Sequence, residues 1–238
     1  MTEPPPHSNG LVIDAQNLWR VYKVGAQEVP ALRGVNLRVS AGQFVALKGR
    51  SGSGKTTLLN CLGGLDRPDS GSARVLGQEL AQLDEASLTR WRRDRVGLIF
   101  QSFGLLPTLS AYENVELMPR IKGAPRAERR QRTLACLDMV GLSPWSGHRS
   151  YEMSGGQQQR VAIARALANQ PELILADEPT GELDSATGRE ILALFRRIVE
   201  SEGVTLLMVS HDPMVDEFAH QVRHLQDGQI VSQPERLF

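Results

Sequence analysis

The chain has 238 residues, with 27 basic and 27 acidic side chains and a formal net charge of zero. The length suits one large or two small domains, and the charge balance excludes a global attraction to nucleic acid or to an acidic membrane. Cys61 and Cys136 sit in apolar helical patterns and read as reduced core thiols, no apolar run reaches the length of a bilayer span, and the N-terminus does not read as a signal peptide.

Taken in chain order, residues 1–10, with Pro4-Pro5-Pro6, read as a flexible tail. Alternating stretches over Leu11–Val24 and Val29–Val39 predict antiparallel strands. Phe44-Val45-Ala46-Leu47 predicts a buried strand, and Thr57–Leu62 predicts a helix ended by Gly63-Gly64. Ser72–Gly77 adds a third alternating strand. Val96–Phe100 is a further apolar strand and leads into Gln101. From about Ser102 to Glu152 the chain turns helical and carries a basic run of Arg120, Lys122, Arg126, Arg129, Arg130 and Arg132, read as a solvated face. Leu173–Ala176 and Thr205–Val209 are two more buried strands; the first ends in Asp177-Glu178 and the second in Ser210-His211-Asp212. His220 and His224 have an i,i+4 spacing but no third ligand, and His224 is placed at the start of a strand; both read as structural. There is no internal repeat.

Between the Phe44 strand and the Thr57 helix, Gly49-Arg50-Ser51-Gly52-Ser53-Gly54-Lys55-Thr56 fits G-x-x-x-x-G-K-[ST]. Its glycines leave backbone N–H groups free to cradle phosphates. Lys55 reaches the β- and γ-phosphates and the Thr56 hydroxyl ligates Mg²⁺. Asp177 and Glu178, at the carboxyl end of a buried strand, point into the crevice where such sheets bind ligands. Asp177 suits Mg²⁺, and Glu178 suits a general base acting on water. Four strands should therefore bring Lys55, Gln101, Asp177, Glu178 and His211 to one edge of one sheet. Ser154-Gly155-Gly156-Gln157 opens a predicted helix. Ser154 is its N-cap, two glycines allow a ligand close to the backbone, and the positive helix end is expected to be bare and ready for an anion.

Together these segments resemble the nucleotide-binding subunit of an ATP-binding cassette (ABC) transporter, from about Leu11 to Val231. The resemblance implies an α/β fold with a P-loop NTPase (RecA-like) core, an antiparallel β subdomain and an inserted helical subdomain. The core with its β subdomain would take about 11–101 and 160–238, and the helical subdomain with the signature about 102–159. Gly49–Thr56 matches the Walker A loop, Gln101 the Q-loop, Met153–Gln157 the signature, Leu173–Glu178 Walker B, Gly181–Asp184 the D-loop and His211 the switch histidine. Met153 stands where the family usually has Leu, a volume-conserving swap. Tyr22, or less well Trp19, falls where the family stacks an aromatic on adenine. The implied nucleotide contacts are Tyr22, Gly49, Arg50, Ser51, Gly52, Ser53, Gly54, Lys55, Thr56, Thr57 and Gln101. The implied Mg²⁺ ligands are Thr56, Gln101 and Asp177, and the implied catalytic groups Glu178, His211 and Lys55. Ser154, Gly155, Gly156 and Gln157 would act in trans on the ATP of a second copy or homologous cassette in a head-to-tail dimer, with Asp184 in the D-loop.

Gly63–Pro68, Phe100–Pro107, Tyr112–Val115 and His211-Asp212-Pro213 further resemble the lipoprotein-release and macrolide-export branch. The implied partner is an integral membrane permease subunit, which would hold the cassette at the cytoplasmic face of the membrane and carry the substrate selectivity. Its docking groove is expected between the Gln101 loop and the helical subdomain, near Phe103 to Glu113, where Phe103, Leu105, Leu106 and Leu109 crowd one loop. Alternatives are a soluble ABC-type ATPase of DNA repair or translation, and a cassette that regulates cell division. The chain lacks the long coiled-coil insertion or second cassette of the former, and no nucleic-acid partner is expected.

Overall fold

A computed structural model describes residues 10–231; the expected N-terminal tail, Gly10 excepted, lies outside them. Two sheets form the frame. In the first, β1 (Leu11–Val24) pairs antiparallel with β2 (Gln27–Ser40) and with β4 (Ser70–Val75), and β4 pairs with the short β5 (Gln78–Glu79). In the second, β3 (Phe44–Lys48), β6 (Val96–Ile99), β7 (Leu173–Asp177), β8 (Thr205–Ser210) and β9 (Gln221–Gln226) run parallel, and β10 (Gln229–Val231) folds back antiparallel on β9. The spatial order is β10-β9-β3-β8-β7-β6.

The second sheet is covered on both faces, which is why its central strands are continuous apolar runs. The period of two along each strand divides the core into two clusters. Phe44, Ala46, Ile174, Ala176, Leu206 and Met208 face α5 (Gly155–Leu167) and α6 (Ser185–Glu202), with α3 (Ala111–Lys122) and α4 (Arg126–Met139) beyond. Val45, Leu47, Leu173, Leu175, Leu207 and Val209 face α1 (Lys55–Leu62), α2 (Glu85–Arg95) and the antiparallel sheet. Cys61 and Cys136 are buried free thiols, one in each cluster, and burial pushes the Cys61 thiol up to about 12.

Of the eight strands expected from the sequence, the seven between Leu11 and Val209 are present, and the eighth starts earlier than expected. α2 and α6 are additional, and each starts at an aspartate that caps it: Asp84 accepts from the Ser87 N–H at 2.7 Å, and Asp184 from the Ala186 and Thr187 N–H groups at 3.1 and 3.0 Å. His224 lies inside β9 opposite Lys48 and Val231, not at the strand's start. Because that segment is extended, the i,i+4 spacing puts no two histidines on one helix face. His220 Nδ1 instead accepts the Phe44 N–H at 2.8 Å, a structural role. The basic run is partly paired: Arg129 meets Glu116 at 3.1 Å, and Arg132 donates to the Leu167 and Ala168 carbonyls at the end of α5. Arg120, Lys122, Arg126 and Arg130 are exposed, as a solvated face requires.

Candidate functional site

Because β3, β8 and β7 are adjacent and parallel, their carboxyl ends deliver three loops to one place. β3 leads into the 49–56 loop, which is fixed by its surroundings. Gly54 has φ 100°, a conformation that glycine adopts without the strain a side chain brings, and a Cβ there would also strike the Ala31 carbonyl. A Cβ on Gly49 would run into the Leu225 carbonyl. The tight Asp227-Gly228 turn between β9 and β10 completes the cradle: Gly228 N–H donates to the Ser53 carbonyl at 3.0 Å and the Gly228 carbonyl accepts from Arg33 N–H at 2.8 Å.

Inside the loop, buried Lys55 donates from Nζ to the Gly49 and Arg50 carbonyls at 2.9 and 3.0 Å. α1 then begins at Gly54 without a side-chain cap, in contrast to α2, α3, α5 and α6. Its first-turn N–H groups thus depend on another acceptor. At the end of β7, burial raises the Asp177 pKa while the neighbouring Thr56 hydroxyl lowers it. Asp177 Oδ1 and Ser53 Oγ are both buried with no hydrogen-bond partner. An uncapped helix end, two orphaned oxygens and a buried lysine whose hydrogen bonds go to backbone carbonyls fit a polyphosphate with a divalent cation.

Glu178 follows directly. Its Oε1 is 3.9 Å from Lys55 Nζ and its Oε2 is 2.5 Å from His211 Nδ1. Its backbone is left-handed at φ 46°, fixed by Glu178 N–H donating to the Val209 carbonyl at 2.9 Å. The Gln101 and Glu178 side chains meet beside Gly181: a Cβ built there would lie in ordinary contact with both, 3.5 Å from Gln101 Nε2 and 3.6 Å from Glu178 Oε2. Lys55, Thr56, Gln101, Asp177, Glu178 and His211 therefore gather at one sheet edge. Tyr22, on β1, lies beside Thr57 at the start of α1.

The signature segment differs from expectation in one respect. The N-terminus of α5 is not bare. Ser154 Oγ accepts the Gln157 N–H at 3.3 Å and Gln157 Oε1 accepts the Ser154 N–H at 2.9 Å, a complete capping box. Its glycines also have an internal reason. A Cβ on Gly156 would lie 2.5 Å from Thr187 Cγ2, and one on Gly155 3.3 Å from Leu183 Cδ2. They let α5 pack against α6 and the loop before it. Asp184 is engaged there too, its Oδ2 accepting from the Thr187 hydroxyl at 2.6 Å, which holds the carboxyl below its ordinary range.

The loop expected to carry the docking groove differs from expectation in part. Leu105 packs on the core, and Leu106 is 45% exposed. A largely apolar groove of about 280 Å³ lies between the Gln101 loop and α3, lined by Leu98, Phe100, Gly104, Leu117, Met118 and Arg165. Arg165 is a residue that the sequence did not mark. From α5 it donates to the Phe103 and Gly104 carbonyls at 3.0 and 2.5 Å. A half-buried arginine amid Ala162, Ile163, Ala166 and Leu167 was the available signal.

The model of the ABC transporter family matches residues 32–181, more than half of the chain. The chain belongs to the ABC transporter family. Among its relatives, the uncharacterized ABC transporter ATP-binding protein of Methanocaldococcus jannaschii is 46% identical over 223 residues, 92% of this chain and 95% of that protein. The macrolide export ATP-binding/permease protein MacB of Syntrophobacter fumaroxidans is 48% identical over 92% of this chain, which spans only 31% of that relative's length. A solved dimer of the ATP-binding cassette MJ0796 in a post-hydrolysis state, bound to ADP and Pi, superposes with a TM-score of 0.85 at 43% identity, covering 95% of this chain and 100% of that one. The cassette described above is thus an ATP-binding one of P-loop NTPase fold. Among its described residues no helix is long and apolar enough to cross a membrane.

Proposed function

We propose that this cassette hydrolyses ATP as a head-to-tail dimer and thereby drives a membrane permease subunit of the macrolide-export and lipoprotein-release branch, on the cytoplasmic face. The placing of Glu178 between Lys55, at 3.9 Å, and His211, at 2.5 Å, supports this reading most strongly. Lys55 and the first-turn N–H groups of α1, with the loop of Gly49 to Thr57, bind the phosphates. Thr56 and Asp177, with Gln101, would hold Mg²⁺, which supplies charge neutralisation on the phosphate oxygens when bound. Glu178 accepts a proton from the attacking water, and His211 orients the Glu178 carboxylate from its far oxygen. Tyr22 stacks on adenine. Ser154, Gly155, Gly156 and Gln157 meet the nucleotide held by the other copy, once the capping box opens or offers its N–H groups. Asp184 acts there by holding the loop before α6. The groove at Phe100, Leu117 and Met118 receives the permease; its wall contains the Gln101 loop, so docking and the nucleotide site share one segment.

Glu178→Gln tests the core of this reading. The amide keeps the shape but accepts no proton, so hydrolysis falls by roughly 10²–10⁴ while ATP binding persists. With ATP uncleaved, the dimer accumulates on size-exclusion chromatography in MgATP. A variant that stays monomeric at every ATP concentration contradicts the shared site, and one that hydrolyses normally removes Glu178 from the chemistry.

A further inference from the structure

Tyr22 is held from two sides by groups that the proposed mechanism leaves unused. Its hydroxyl donates to Asp66 Oδ2 at 2.7 Å, and the Arg20 guanidinium lies over one face of its ring, 4.7 Å from the centroid. Arg20 is itself locked. Its Nε and Nη2 donate to the two oxygens of Asp66 at 3.0 and 2.8 Å, and Nη1 donates to Asp69 at 3.0 Å. Asp66 also accepts from the Arg67 N–H at 2.8 Å, and Asp69 from the Val21 N–H at 2.6 Å. Burial works against the Asp66 charge, but the hydrogen bonds from Tyr22, the Arg67 N–H and Arg20 outweigh it and hold the carboxyl below its ordinary value. β1 is thereby tied to the loop after α1 by a bidentate, charge-assisted pair, the stronger and more directional kind of ion pair.

We infer that Arg20 and Asp66 are positioning residues for the nucleotide base: Arg20 fills one face of the Tyr22 ring and Asp66 fixes its hydroxyl, so that the opposite face is presented ready-made for stacking. The inference rests on the reading of Tyr22 as the adenine partner. A tyrosine free to rotate must be ordered when the base arrives, which weakens binding, whereas a ring already fixed is not. The arginine also contributes a cation–π contact on the face that the base does not use.

The alternative is that the cluster only fastens β1 to the loop. ADP and inorganic pyrophosphate separate the two, because both use the phosphate loop but only ADP carries a base. Neither is turned over, so calorimetric titration with Mg²⁺ reads affinity directly. Tyr22→Ala should weaken ADP by about tenfold, the scale of one base–aromatic stack, and leave pyrophosphate unchanged. Arg20→Met should weaken ADP by about threefold or more and also spare pyrophosphate. The double variant should be no weaker than Tyr22→Ala, since Arg20 acts through the ring. If Tyr22→Ala weakens ADP and Arg20→Met does not, the inference is overturned while the reading of Tyr22 survives. If Tyr22→Ala leaves ADP unchanged, that reading falls and the inference with it. Equal loss of both ligands in Arg20→Met, or additive losses in the double variant, assigns Arg20 to the fold and overturns the inference. Should Arg20→Met fail to fold, Tyr22→Phe keeps the ring and removes the hydroxyl's bond to Asp66 together with its contact to Thr57, and Thr57→Val, which removes the latter alone, serves as its control. A loss of about threefold for ADP alone then supports the clamp, and unchanged binding overturns it.

Discussion

Glu178 combines two demands in one residue. Its carboxylate must sit between Lys55 and His211, and to put it there the backbone adopts φ 46°, which costs an L-residue about 1–2 kcal/mol. Glycine carries no such cost. Glu178→Gly should therefore be more stable than Glu178→Gln by about 1 kcal/mol, although both are expected to lose most of the ATPase activity. For a chain of this size that corresponds to about 2–4 °C in Tm. Thermal unfolding of the two variants without nucleotide is the measurement, and a glutamine variant as stable as the glycine one would show that no strain is stored there. The acidic pair was legible because Asp177-Glu178 ends an apolar strand. The strain was not, since nothing in the composition of Ala176-Asp177-Glu178-Pro179 encodes a left-handed non-glycine residue.

At the scale of elements, the start of α5 is positioned by α6. Thr187 connects them: its hydroxyl bonds the capping Asp184 at 2.6 Å while its methyl occupies the space that a Gly156 Cβ would need. Gly156→Ala should thus destabilise the cassette by about 1–3 kcal/mol and shift the signature segment, even with no partner or nucleotide present. Thr187→Ser removes the clashing methyl but keeps the hydroxyl, so the pair Gly156→Ala/Thr187→Ser should recover much of the lost stability. Chemical denaturation of the isolated chain reads both; no rescue would mean that the contact with Thr187 does not set the cost. The serine cap of α5 was readable from Ser154 and Gln157, three residues apart. The packing role of Gly156 depends on a residue 31 positions later and was not. The same holds for Arg165, whose partners are loop carbonyls without side-chain identity, and for α2, where only Leu88 and Trp91 are buried; α6 was legible in the helical spacing of Ile191, Leu192, Phe195, Ile198 and Val199, yet was not among the expected elements. By contrast β3, β7 and β8 were legible almost to the residue, because strands buried on both faces are unbroken apolar runs.

For the molecule as a whole, the proposed shared site requires one chain to carry two half-sites that its own fold braces separately. The 49–56 loop is braced by β2 and the β9–β10 turn, whereas the start of α5 is braced by Leu183 and Thr187, with Ser154 and Gln157 bonding each other's backbone. Solved dimers of the related MJ0796 cassette show that such a chain can pair. Two lesions then become complementary. Lys55→Ala removes the buried ammonium from the phosphate loop and leaves the signature intact. Ser154→Arg adds bulk and charge at the start of α5 and leaves the phosphate loop intact. Each homodimer lacks a complete site. In the mixed dimer one composite site joins an intact loop to an intact signature, so the mixture should regain ATPase activity that neither variant has, rising to a maximum at equal concentrations. Half of the pairs formed at equal concentration are mixed and each holds one good site of two, so the recovered rate should approach about one quarter of wild type if sites act independently. Full hydrolysis by Ser154→Arg alone would refute the sharing of sites outright. Recovery absent at every ratio, with the mixed dimer shown to form by cross-linking, would instead mean that two working sites must fire together. The cassette would then be a cooperative pair rather than two independent ATPases.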